Sequence, residues 1–261
     1  MSSLTWISVA SVKGTSMPTR WFVAIPGLIP ERVKLEHVHA AVSGWFDTSI
    51  PEHRAGEKPY AVSPPTRDQH GITGVEVVTL TDEATRRLTT ATAGHPEVRL
   101  GNQCRRLGGM RRLCADEWAE LAQPCSTTEW RLELVTPTTF RTGNRSSPLP
   151  TVEGLVRGAR AAWAAWSPVS LPEGDGSSLW VSDVDLRSDI VPLTIRGADG
   201  RSREILISAV TGSLVVRHGP TDHTAAALVR TASYAGVGAM TLKGLGVTRV
   251  GPARGRRAHA S

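Results

Sequence analysis

Cysteine, lysine and long apolar runs are all scarce in this 261-residue chain. The three cysteines, Cys104, Cys114 and Cys125, are odd in number and widely spaced. That argues against a disulfide framework and excludes a CxxC metal knuckle, leaving reduced thiols in a cytoplasmic protein as the expectation. No stretch of about 18 apolar residues occurs, so no membrane-spanning helix is expected. The opening MSSLTWISVASVKGTSMPTR lacks a basic segment followed by an apolar one, so no secretory leader is expected either. Met17 begins the more regular MPTRWFVAI, and residues 1–16 read as an extension. Only Lys13, Lys34, Lys58 and Lys243 are lysines among 30 basic residues, which leaves 26 arginines.

What is present is cationic. The net charge is +6 and the isoelectric point is near 9.8, and arginine offers a planar fork suited to phosphate, so a polyanionic partner fits. The hydrophobic pattern reads as strand (20–26), helix (32–46), polar loop (47–59), strands (60–63 and 74–80), helix (81–93, with Thr81 or Asp82 as cap) and an arginine-rich extended segment (97–114). The same order then recurs: strand 129–135, helix 151–166, strands 179–186 and 204–217, helix 222–233 and strand 246–250. Two successive β-α-β-β-α-β units predict an α+β chain of two tandem ferredoxin-like (RRM-like) domains. They are placed at residues 17–124 and 125–251, with the boundary near Pro124. Trp163 and Trp166 are three apart on one helical face and read as core.

The densest local signal is Ser233-Tyr-Ala-Gly236-Val-Gly238-Ala-Met-Thr241-Leu-Lys243-Gly244-Leu-Gly246, between the last helix and the last strand. Four glycines in eleven residues permit positive φ and close backbone approach. Successive N–H groups there could cradle an anion, with Lys243 adding charge. A dinucleotide fingerprint is excluded because that loop runs from strand to helix, and GxxxxGK[ST] is absent. Histidines cluster early, at His37, His39 and His53. His37 and His39 cannot share a helical face, since two residues turn about 200°. No HExxH spacing occurs, so neither a metal nor any other cofactor is expected.

The stretch YAGVGAMTLKGLGVTRV closely resembles the C-terminal signature of the CRISPR precursor-RNA processing endoribonucleases of the RAMP superfamily, G-[IV]-G-x-x-T-x-x-G-[FML]-G before a valine-rich strand. Two weaker blocks are also similar to that family: Val135-Thr-Pro-Thr-Thr-Phe140 leading to Pro148-Leu-Pro150, and His53 followed by Lys58-Pro-Tyr-Ala-Val-Ser-Pro64. The three blocks span roughly residues 35–250.

The resemblance implies two tandem ferredoxin-like domains and metal-independent cleavage by 2′-hydroxyl attack, leaving a cyclic phosphate and a 5′-hydroxyl. The implied partners are CRISPR precursor RNA and mature guide RNA, in the cytoplasm, with a CRISPR effector complex and a homodimer as further expectations. It places the catalytic histidine at or just after the first helix. His53 ranks first, with Lys58 as its charge partner, then His39, then His37. The tyrosine some relatives carry on that helix has no counterpart, as Trp45 and Phe46 cannot donate its hydroxyl. Expected RNA contacts are Gly236, Gly238, Thr241, Lys243, Gly244 and Gly246, with Arg141 and Arg145; Arg105, Arg106, Arg111 and Arg112 are further cationic candidates. Two alternatives stand beside this reading. One is a non-catalytic RAMP-type guide-RNA-binding subunit of an effector complex. The other is a ferredoxin-like small-ligand sensor, against which the net charge and Lys243 speak.

Overall fold

The computed structural model describes residues 16–54, 57–143, 145–196 and 201–253; residues 1–15 of the expected extension lie outside them. In chain order the elements are β1 (Thr19–Ala24), α1 (Leu35–Phe46), α2 (Ile50–Arg54), β2 (Tyr60–Val62), β3 (Thr66–Arg67), β4 (Thr73–Thr79), α3 (Asp82–Gly94), β5 (Glu97–Leu100), β6 (Gln103–Arg106), β7 (Gly109–Ala115) and α4 (Trp118–Ala122). They continue with β8 (Glu129–Thr138), β9 (Phe140–Thr142), β10 (Arg145–Ser147), α5 (Val152–Trp166), β11 (Trp180–Arg196), β12 (Ser202–Arg217), α6 (His223–Ala235) and β13 (Thr248–Pro252). The antiparallel sheet of the first half is ordered β2-β4-β1-β7 with β3 appended to β4, and that of the second half β11-β12-β8-β13. In both, the first and third strands of a β-α-β-β-α-β unit are central and the second and fourth lie at the edges, so the chain has the expected α+β fold of two ferredoxin-like repeats.

Local chemistry sets the element ends. Thr81, Thr151 and Asp222 cap α3, α5 and α6, each side chain accepting a hydrogen bond from an N–H three residues on, at 3.1, 3.1 and 2.9 Å. β8 alternates strictly over its first eight residues, with Trp130, Leu132, Leu134 and Thr136 inward, as a strand with one covered face should.

Three expectations are corrected. The helix read from residue 32 begins at Leu35, because Pro30–Arg32 forms a 3-10 turn and Lys34 is extended. The segment 97–114 is not one strand: the turn Gly101-Asn102 folds β5 onto β6, with Gly101 at φ +66°. β11 runs ten residues past the expected Leu186, because an edge strand tolerates the proline at 192, which pairs opposite Leu206.

The largest core cluster belongs to the second half but draws in Val78, Leu80, Trp118 and Leu121 from the first. Trp118 meets Trp163 edge to face, with ring centroids 5.0 Å apart. Polar groups join the halves too. Arg20, only 3% exposed, donates from Nη1 to Glu76 at 3.4 Å and from Nη2 to the Thr248 carbonyl at 3.1 Å and the Ser233 carbonyl. Arg249 donates to the other Glu76 oxygen. Burial pushes the Glu76 carboxyl up from its ordinary pKa, and Arg20 and Arg111 pull it back. Among the described residues, no helix is long and apolar enough to cross a membrane.

Trp163→Ala removes a side chain shared by this joint and the core. It is expected to lower the unfolding free energy by about 3–5 kcal/mol, read as a shifted urea midpoint.

Candidate active site

His37 and His39 leave α1 in opposite directions. The His37 Nδ1 accepts the backbone N–H of Lys34 at 3.3 Å, and its ring lies against the β5–β6 turn, where a Cβ on Gly101 would come within 2.6 Å of it. His37 is thus spent on starting the helix and seating the hairpin. His39 turns toward the glycine-rich loop, its Nδ1 at 2.9 Å from the carbonyl oxygen of Leu242. A carbonyl only accepts, so Nδ1 carries the proton and Nε2 keeps its lone pair. Burial holds the His39 pKa below its ordinary value and Lys243 adds to this, while the Leu242 carbonyl and Asp47 oppose it.

His53 stands on the short helix α2 with its ring 59% exposed and its Nδ1 at 3.1 Å from Asp47 Oδ2. Lys58 Nζ reaches the same oxygen at 2.9 Å and Tyr60 Oη lies 3.4 Å from it. Lys58 also donates to the Glu52 carbonyl, and Tyr60 stacks on Phe46 with centroids 4.1 Å apart. α2 is tied down by Glu52, whose carboxylate accepts both the N–H and the hydroxyl of Thr48 at 2.8 Å and two Arg87 donors at 3.1 Å. These bonds, Thr48 first, bring its pKa to about 2. Lys243, His53 and Asp47 all lie close enough to His39 to act on it electrostatically. The structure therefore gathers His39, His53 and Lys243, and leaves His37 out. Lys58, expected as the charge partner of His53, is buried and ion-paired with Asp47.

The glycine-rich loop differs from the expected cradle. Its N–H groups at Val237, Gly238, Ala239 and Gly246 donate to the carbonyls of Gly246, Gly154, Thr139 and Pro137 at 2.8 to 3.3 Å. They are committed to β8, α5 and the loop itself. The glycines serve this knitting: a Cβ would lie 2.4 Å from the Thr139 oxygen at Gly238 and 2.0 Å from the Val237 oxygen at Gly246, both at positive φ. The Thr241 methyl fills the space between Gly236 and Gly246, and Gly244 packs against Pro64 and Leu35 of the first half. What the loop turns toward the histidines is the Leu242 carbonyl and Lys243.

Residues 132–248 match the family model described as the CRISPR-associated endoribonuclease Cas6. The resemblance read from the sequence holds. A Cas6 (TTHA0078) product complex superposes with a TM-score of 0.73 at 21% identity, covering 90% of this chain and 99% of that one. A Thermus thermophilus Cas6 (TTHB231) superposes with a TM-score of 0.65 at 22% identity, covering 91% and 99%. A RAMP protein binding different RNA substrates reaches 0.52 at 11% identity, covering 90% and 98%. At such identities the likeness is one of fold, and it extends over both halves. No curated protein sequence matches the chain. The matched Cas6 stretch takes in the whole glycine-rich loop, including Leu242 and Lys243, but none of His37, His39 or His53.

The remaining arginines divide by what they touch. Arg141 and Arg145 are exposed on the β9–β10 hairpin, as are Arg106 on β6 and Arg112 on β7. Arg105 donates to the Gly27 carbonyl at 2.9 Å, and Arg111 pairs with Asp68 at 3.3 Å while lying over the Phe22 ring. Sequence reasoning missed Asp47 and Tyr60; an isolated acid in a polar loop carries no periodicity to mark it.

Gly246→Ala is expected to destabilise the fold by at least about 1–3 kcal/mol, the range for forced backbone strain. Gly251→Ala, where a Cβ meets nothing within 4 Å, is expected to stay within about 0.5 kcal/mol. Paired thermal melts check both.

Proposed function

We propose that this chain is an endoribonuclease that cuts CRISPR repeat RNA in precursor transcripts, taking the 2′-hydroxyl of the substrate as nucleophile and no metal. The observation that carries the reading is the pair of imidazoles on one side of the molecule. Each has its Nδ1 fixed by a protein acceptor, Leu242 O at 2.9 Å for His39 and Asp47 Oδ2 at 3.1 Å for His53, and both His53 and Lys243 lie near enough to His39 to act on it. The family match and the neighbours solved as a product complex and as a substrate mimic complex support it.

Roles follow from environment. His39, half-buried and neutral, takes the 2′-hydroxyl proton on Nε2. The 2′ oxygen then bonds to phosphorus as the bond to the 5′ oxygen breaks. His53, exposed and paired with a carboxylate, gives that departing oxygen its proton. The products are a 2′,3′-cyclic phosphate and a 5′-hydroxyl. Lys243 steadies the negative charge that develops on the phosphorane. Residues 17–124 then act as the unit carrying the histidines and 125–251 as the unit carrying the loop. Arg141 and Arg145 hold RNA phosphates on the second unit, and the mature guide RNA is the product.

The purified protein, in excess chelator, is expected to cut its cognate repeat RNA once, and a 2′-deoxy nucleotide before the cut to abolish cleavage. His39→Ala and His53→Ala should each slow the single-turnover rate by about 10²- to 10⁴-fold, with His37→Ala near wild type. Cleavage that survives the 2′-deoxy block or demands a divalent ion overturns the mechanism. Intact cleavage in both histidine variants with RNA binding retained makes the chain a guide-RNA-binding subunit instead.

The depressed pKa of His39 fixes a pH dependence. The neutral ring is favoured by the fold, so its contribution is present above the ordinary value of 6.5 and is lost as pH falls through the lower folded value. The acid limb of kcat is therefore expected below pH 6.5, read from a rate profile at saturating RNA.

A further inference from the structure

We infer that Asp47 is the positioning residue of this site: it keeps a proton of His53 on Nδ1 and aims Nε2 outward, and Lys58 serves by holding Asp47 rather than by meeting phosphate. The catalytic part of this inference rests on the function proposed above; the geometric part does not.

Asp47 is the first residue beyond α1, and its own N–H donates to the Ser43 carbonyl at 2.8 Å, so the backbone that carries it is set by the helix. Its side chain is 7% exposed. A carboxylate at a helix C-terminus faces the negative end of the macrodipole, and burial adds a desolvation cost. Helix stability therefore does not account for an acid here. Three donors of different kinds converge on one of its oxygens: the Lys58 ammonium at 2.9 Å, the His53 imidazole at 3.1 Å and the Tyr60 hydroxyl at 3.4 Å.

The three are not equivalent. Lys58 and Tyr60 are buried, and each is held by a second contact, Lys58 by the Glu52 carbonyl and Tyr60 by stacking on Phe46. They make a fixed socket. His53 is the exposed donor on that oxygen, so it is the one that can reach a substrate. Lys58 balances the carboxylate charge, and His53 keeps its Nδ1–H on Asp47 with Nε2 left as the nitrogen that exchanges a proton with substrate. With both Lys58 bonds spent inside the protein, Lys243, which acts on His39, is the cation proposed to meet phosphate.

Two measurements on the full chain test this. Nitrogen-15 NMR of the wild-type imidazoles, above their titration, is expected to show His53 mainly as the Nδ1-protonated tautomer; a mainly Nε2-protonated ring overturns the inference and needs no variant that must fold. Asp47→Asn is then expected to lose that preference and to lower kcat by about 10- to 100-fold, as when an orienting partner is removed, with KM within about threefold. If His53→Ala abolishes cleavage while Asp47→Asn keeps kcat within about twofold, Asp47 does not position the catalyst and the inference fails. If His53→Ala cleaves normally, the role proposed for His53 fails, while the tautomer measurement still decides the geometry.

Discussion

The hydrogen bond between His39 and the Leu242 carbonyl is the contact on which the site depends. It crosses from the first repeat to the second, joining a helix that begins at Leu35 to a loop that ends at Gly246. A histidine in solution exchanges its proton between two nitrogens. Here a backbone carbonyl, which cannot rotate away or titrate, decides the matter. The carbonyl is held in place because the loop is stitched to α5 at Gly154, to β8 at Pro137 and to Thr139 just beyond it, and closed on itself by the Val237–Gly246 bond. Rigidity in the second repeat thus becomes a defined lone pair in the first.

This changes what the glycines do. Their spacing suggests an anion cradle, and a cradle needs N–H groups that point outward. The loop instead turns the N–H groups of Val237, Gly238, Ala239 and Gly246 inward and uses glycine to let two stretches of main chain pass closer than any side chain allows, as at Gly246 over the Val237 oxygen. The same compaction brings Gly244 against Pro64, which is how a motif near the C-terminus and the Lys58–Pro64 block, some 180 residues apart, come to form one surface.

Much of the fold was legible in the sequence because its signals are local. The cap at Thr81, the alternation in β8 and the opposite headings of His37 and His39 all follow from turn chemistry and period. Distant pairing was not legible. The proline at 192 hid the length of β11, since only the partner strand shows that its missing N–H faces an edge. The candidate site can be read in part: His39, His53 and Lys243 stand out as residue types, whereas Asp47 does not. Its meaning comes from donors 6, 11 and 13 positions later, a spacing set by a turn and a short helix rather than by any repeat.

The edge formed by β11 has a consequence for how these molecules meet one another. Seventeen residues of strand with no neighbouring strand on one side would ordinarily invite another chain to add on, although the Thr194 N–H near its end donates to Glu36 at 2.6 Å. Along it stand Asp185, Arg187 and Asp189, all exposed, and then Pro192, which offers no N–H. Charges of both signs and a missing donor make continuation of this sheet by a second copy costly. The stretch from Asp185 to Ile190 can therefore stay open to solvent without serving as a seed for aggregation, while Leu193 beyond it is buried.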